Sequence, residues 1–288
     1  MRLNTRSFLL VFCLFFGLLT TQRIFAQQYH GDSWATAKAN GQGNLAVVYY
    51  QIPGMIEANA DGSMSGVCVD LLQSFADYVD SRYRVKLKID YQGQERAFNQ
   101  FLDASNTGNQ VLGVSTVSIT PERQETMNFT PPFMNNMLVM LTHHAVPSMD
   151  SWENIPKYLE GRKALAIAGG NNVAYLEYIR ENYYPDMKIE LRASEKVILS
   201  EMSNNADYFT ILDFTDYYDA VKRRLPLRRQ NLDLSDHFQE SFGFILSQDS
   251  DWGPIWEAFL TADFRNGMAY KKIITDNLGG SFVSLVKQ

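Results

Sequence analysis

Cysteine is nearly missing from this sequence: there are two in 288 residues, and only Cys68 lies beyond the first 26. A single thiol forms no internal disulfide, and two cannot build a disulfide scaffold or a cysteine-rich zinc site. Basic residues are outnumbered, 26 Lys plus Arg against 32 Asp plus Glu. Nucleic-acid binding needs a basic footprint, so that class is excluded. Beyond the amino-terminal segment no stretch reaches the roughly 18 apolar residues of a membrane-spanning helix. No Pro/Gly/Ser-rich linker, internal repeat or low-complexity tract divides the chain. The hydrolase marks GxSxG and HExxH are missing, as are the Walker lysine and the GxGxxG of nucleotide sites.

What is present describes a globular, acidic chain. Hydrophobic residues make up 45% and aromatics 13%, too many for disorder. At roughly 100–200 residues per domain the length suits one large domain or two lobes, and without a linker two lobes must be intertwined. The amino terminus reads as a signal peptide. Arg2 and Arg6 precede an apolar run from Ser7 to Leu19, and Ile24-Phe25-Ala26 supplies a cleavage site after Ala26. The apolar run, about 13–15 residues, is shorter than the roughly 20 of a membrane anchor. Cys13 has no small residue before it and does not read as a lipoprotein site. Cleavage leaves 262 residues, and because the leader carries three arginines and no acid, the net charge moves from −6 to −9. A soluble periplasmic protein is expected.

Strands and helices alternate along the rest. Leu45 to Tyr50 reads as a buried strand ended by Pro53-Gly54. Asp70 is placed as the N-cap of a helix carrying Leu71, Leu72, Phe75 and Val79. Val85 to Tyr91 alternates as a strand, with Val85, Leu87, Ile89 and Tyr91 on one face. A helix is predicted over 95–103. Further strands are predicted at 110–117, 137–141, 164–168, 208–212 and 242–246, with helices over 171–182, 252–260 and 268–277. This pattern is that of an α/β protein with largely parallel sheet.

Three segments suit a charged ligand. In the first, a strand ends in Ser115, Thr116 and Ser118, and Arg123 follows. Hydroxyls at a strand's carboxyl end and a guanidinium fork are donors for a carboxylate. The competing reading makes Thr120-Pro121-Glu122 a helix cap and Arg123 a solvated charge. In the second, a strand runs through Gly169-Gly170 into a helix starting at Asn171 or Asn172, where free N–H groups attract an anion; an ordinary Asn-capped turn is the alternative. In the third, Asp213 ends a strand and could receive an ammonium group, unless it merely caps the helix that follows. His143-His144, read on a strand, point to opposite faces and make a poor metal pair. The basic run Lys222 to Arg229 is either a partner-docking patch or a solvated helix end. Tyr175, Tyr178, Tyr183 and Tyr184 are expected to pack in a core.

Together these segments carry a resemblance. GVCVDLLQSFADYV (Gly66 to Val79) resembles the G-F-x-V-D-L segment of bacterial solute-binding protein family 3, the polar amino-acid receptors of ABC importers. Ser118-Ile119-Thr120-Pro121-Glu122-Arg123 with Phe129-Thr130-Pro131-Pro132-Phe133 resembles that family's S-I-T-x-x-R … F-S-x-P-Y. GRKALAIAGGNN (Gly161 to Asn172) is similar to its second-lobe G-K-x-V-G-V-x-x-G, and Phe242 to Leu246 to its returning hinge strand. The sequence departs from the pattern at Pro53-Gly54, Gly170 and Pro131.

The resemblance implies a type II periplasmic-binding-protein fold with discontinuous lobes joined by a two-strand hinge. Lobe 1 would be residues 27–136 plus 244–288, and lobe 2 residues 137–243. By the same likeness Arg123, Ser118, Ser115, Thr116, Asn171 and Asn172 would hold a ligand carboxylate, and Asp213 the ammonium. Tyr50 and Gln51 would line the side-chain pocket. A monomer without cofactor or metal is implied, taking a small amino acid or carboxylate and serving an ABC permease by hinge closure. Two other roles share the fold: a ligand-sensing module for a membrane receptor, and a periplasmic dehydratase.

Overall fold

The computed structural model describes residues 29–235 and 238–283. The predicted signal peptide lies outside the described residues. Seven strands come first: β1 (Gln42–Tyr50), β2 (Glu57–Ala58), β3 (Met64–Ser65), β4 (Lys86–Glu95), β5 (Val111–Ser118), β6 (Asn128–Phe129) and β7 (Met134–Asn136). They are followed by β8 (Leu138–His143), β9 (Lys163–Ile167), β10 (Lys188–Arg192), β11 (Tyr208–Asp213), β12 (Leu227–Arg229) and β13 (Glu240–Leu246). One sheet has the order β4-β1-β5-β13-β6, with β7 also on β13; a second runs β10-β9-β11-β8-β12, and β2 and β3 form a two-stranded sheet of their own. The β4-β1-β5 and β10-β9-β11 trios are parallel, whereas β13 and β8 join antiparallel. The chain therefore enters the second sheet between Asn136 and Leu138 and returns to the first at Glu240. The two crossing strands are paired there, Glu240 opposite Asn136.

Hydrophobic pattern fixes these strands. β1 buries Leu45 to Tyr49 without interruption because a parallel central strand is covered on both faces. Helices Val67–Tyr83 and Gly253–Phe259 close one side through Phe75, whose ring stacks on Trp256 at 3.7 Å between centroids. In the second half, Thr210 is fully buried and donates to the Leu165 carbonyl at 2.7 Å, tying β11 to β9.

Several expectations need correction. The helix containing Asp70 begins at Val67 and its N-cap is Gly66, at φ 119°. A side chain there would run into the Met55 carbonyl, so only glycine suits the turn. Asp70 sits in the first turn instead, accepting from Asn277 Nδ2 at 2.6 Å. The helix predicted over 95–103 is Phe98–Thr107, because β4 continues to Glu95. The rings of His143 and His144 lie 4.5 Å apart rather than on opposite faces. No group of three or more His, Cys, Asp or Glu able to hold a metal occurs among the described residues. Likewise, no described helix is long and apolar enough to cross a membrane. Among the elements not predicted are β10, the short strands β2, β6, β7 and β12, and the helices Trp34–Asn40, Glu195–Asn204 and Phe214–Lys222.

Candidate functional site

The carboxyl ends of β1, β5 and β11 and the start of helix Asn172–Asn182 bring most of the predicted residues to the crossing strands. Ser118, at the last position of β5, is buried and donates through Oγ to Glu240 Oε2 at 2.6 Å. Arg123 follows in a four-residue helix, Pro121–Gln124, capped by the Thr120 hydroxyl. Its guanidinium folds back to the Ser118 carbonyl at 2.9 Å and lies 5.7 Å from the Phe98 ring centroid. Burial lowers the guanidinium pKa, while the charges of Glu240, Asp213 and Glu122 oppose that fall. The group stays protonated, as arginine does in proteins.

Asn136, on β7, links the acids. Its Nδ2 donates to Asp213 Oδ1 at 2.7 Å and to Glu240 Oε2 at 3.2 Å, and its own Oδ1 is buried without a partner. Asn171 reaches the same cluster, Nδ2 to Glu240 Oε1 at 3.4 Å. Asp213 ends β11 and stands at the N-cap of Phe214–Lys222 without a side-chain capping bond. Burial raises its pKa, opposed by the Asn136 hydrogen bond and the Arg123 charge. Asp216, one turn on, is raised well above the ordinary carboxylate range by burial, then by the charges of Asp213, Glu195 and Asp219. Tyr50 faces this acidic side. Its ring packs on Phe98 and Phe101 at 5.5 and 6.3 Å, and burial raises its pKa with help from Glu195 and Asp216.

Other predicted residues do different work. Ser115 is fully buried, its hydroxyl committed to the Tyr50 carbonyl at 3.0 Å, so it holds β5 to the end of β1. Asn172 is buried and accepts from Ile167 N at 3.1 Å, closing the loop through Gly169, whose φ is 76°. A side chain at Gly170 would crowd Asn172 Oδ1, which accounts for glycine at that departure from the family pattern. Thr116 and Gln51 are half-buried at the ends of β5 and β1. In the basic run, Lys222 meets Glu57 at 3.3 Å and Arg223 meets Asp219 at 3.0 Å. Glu240, Asn136, Glu195 and Phe98 were not singled out from sequence. Glu240 had a signal, since an acid opening an apolar strand has to find a partner.

The acid cluster yields a stability prediction. A folded-state pKa raised above the ordinary 3.8 means that protonated Asp216 favours the fold. That contribution is complete below the unfolded value and is lost as pH rises through the folded one. Asp216→Asn should therefore raise stability at pH 7 by about 0.5–2 kcal/mol. The gain should shrink as pH falls below 4, toward the range where Asp216 is protonated in both the folded and the unfolded chain. Thermal unfolding across that range checks it, and a gain independent of pH would contradict the cause.

The family profile of the bacterial extracellular solute-binding proteins, family 3, matches residues 45–275. The chain belongs to this family. It is 22% identical over 257 residues to the glutamate-binding protein GluB of Corynebacterium glutamicum, covering 86% of this chain and 82% of that one. It is 26% identical over 138 residues to the probable amino-acid-binding protein YxeM of Bacillus subtilis. That match spans 47% of this chain and 45% of YxeM, less than half its length. An ABC uptake transporter substrate-binding protein from Streptococcus pneumoniae, solved with bound histidine, superposes with a TM-score of 0.62 at 17% identity. The superposition covers 85% of this chain and 96% of that one. The fold is thus the two-lobed type II periplasmic-binding-protein fold.

Proposed function

We propose that this family member captures a small amino acid or related carboxylate between its lobes by hinge closure, without covalent chemistry, and hands it to an ABC permease. The observation that carries this reading is the polarity of the site. The donors Ser118, Arg123, Asn136 and Asn171 and the acids Asp213 and Asp216 gather in one cluster, joined by Asn136, which donates to Asp213 at 2.7 Å. Such an arrangement complements a zwitterion: a guanidinium and hydroxyl receive a carboxylate, and the acids receive an ammonium. Asp213 and Asp216 are half-buried, and acids whose pKa values are raised by their surroundings are costly to the fold, a cost that a bound cation would offset. GluB and YxeM, described as a glutamate-binding and a probable amino-acid-binding protein, support the amino-acid class. In this reading the chain is exported by its signal peptide, works as a monomer, and divides into lobes at 27–136 plus 244–288 and 137–243.

Thermal unfolding against a panel of amino acids and small organic acids tests it. A ligand at a hundred times its Kd adds about 2.7 kcal/mol, a shift of several degrees. No shift across the panel would overturn the reading. Within it, Asp213→Asn should weaken amine-bearing ligands by about 10- to 200-fold, the worth of one charged hydrogen bond. Carboxylates without an amine should lose little, and equal loss for both classes, measured by calorimetry, would remove Asp213 from the ammonium role.

A further inference from the structure

The donors offered to a carboxylate are engaged by a carboxylate of the chain itself. Glu240 accepts from Ser118 Oγ at 2.6 Å, from Asn136 Nδ2 at 3.2 Å and from Asn171 Nδ2 at 3.4 Å. A hydroxyl and two amides around two carboxylate oxygens, with the Arg123 guanidinium at the same strand end, form the donor set that a free carboxylate would take. Sheet register puts Glu240 there. β13 pairs antiparallel with β5, Phe242 opposite Ser118, and with β7, Glu240 opposite Asn136. The partners come from separate parts of the chain, 122, 104 and 69 residues away in sequence.

Glu240 also has room to leave. It lines a solvent-open cavity of about 1030 Å³ beside the crossing strands, together with Gln124, Asn135 and Ser241. A rotation of the side chain toward that space would release Ser118 and Asn171 without moving β13.

We propose that Glu240 is an internal surrogate for the ligand carboxylate: it fills the carboxylate subsite, a ligand's carboxylate enters by displacing it, and it thereby sets affinity for carboxylate-bearing ligands. This rests on the amino-acid reading given above for the ligand, but the surrogate role has a test of its own. Glu240→Ala leaves Ser118, Asn136 and Asn171 without their carboxylate, beside the Arg123 guanidinium on the Ser118 carbonyl, so a small carboxylate in solution should replace it.

Sodium propionate, compared with sodium chloride at equal ionic strength, should raise the Tm of Glu240→Ala by a few degrees. Wild type and the double variant Glu240→Ala/Arg123→Ala should not respond. In calorimetry with the amino-acid panel, Glu240→Ala should bind its best ligand about ten-fold tighter than wild type or better, with Glu240→Gln between them. Glu240→Gln keeps the shape of the side chain and takes the place of Glu240→Ala in both measurements should alanine unfold the protein. Propionate acting equally on all proteins, or on none, overturns the surrogate role, and so does weaker or unchanged amino-acid binding by the variants. Selective response to propionate with no amino acid bound by any protein upholds the surrogate and overturns the amino-acid reading. Amino-acid binding that is the same in wild type and variants, without a propionate response, does the reverse.

Discussion

Arg123→Ala is expected to weaken ligand binding by about 10- to 200-fold while the protein stays folded. A charge-assisted hydrogen bond to a carboxylate contributes about 1.5–3 kcal/mol, and each 1.4 kcal/mol is a factor of ten. The fold should survive because Arg123 lies in a four-residue helix held by its own cap, with one side-chain hydrogen bond, to the Ser118 carbonyl. Arg123→Lys distinguishes charge from shape. Lysine keeps the charge but loses the planar fork, so it should recover part of the affinity and not all. Calorimetry on both variants with the amino acid that shifts wild type most decides the matter, and unchanged affinity in the alanine variant would take Arg123 out of the site. The Phe98 ring beside the guanidinium adds a cation–π contact of about 0.5–1 kcal/mol, which makes the alanine loss partly one of positioning.

The sequence carried those parts of the site that depend on local pattern. Ser118 and Arg123 are five residues apart, and a strand end followed by Thr-Pro-Glu fixes both. Asn171 was legible for the same reason, as a residue at a glycine-turn helix start. Glu240 was legible only as an acid in need of a partner; which partner comes from pairing β13 with two distant strands, and no period in the local sequence encodes that Glu240 lands opposite Asn136. Asn172 shows the converse: adjacent to Asn171 and chemically identical, it is turned inward because Ile167 N has to be satisfied where the loop passes through Gly169. The unpredicted helix Glu195–Asn204 had a readable start, since Ser194 caps it by accepting from Val197 N. Strand β10 had a signal as well, since KIELR alternates charged and apolar residues as Val85 to Tyr91 does, over only five residues.

Phe75→Ala should do the opposite of Arg123→Ala, leaving ligand affinity at 25 °C intact and sharply lowering stability. Phe75 is fully buried on helix Val67–Tyr83, stacked on Trp256 with an interplanar angle of 6°. It also meets Trp252 at 6.1 Å and Phe259 at 5.5 Å. Those partners follow β13, so this one ring joins the early and late parts of the chain into a single core. Truncating such a phenylalanine costs about 3–5 kcal/mol, through lost burial and the cavity left behind, and lost ring geometry is part of that cost. For a chain of this size, each kcal/mol moves Tm by roughly 2–4 °C, which gives a fall of roughly 6–20 °C. Phe75→Leu fills much of the space and should recover more than half of the loss. The partners of Phe75 lie outside the cluster of Arg123, Asp213 and Glu240, so affinity measured well below the lowered Tm should match wild type. A fall in affinity with no change in Tm would mean that this aromatic stack supports the hinge rather than the core.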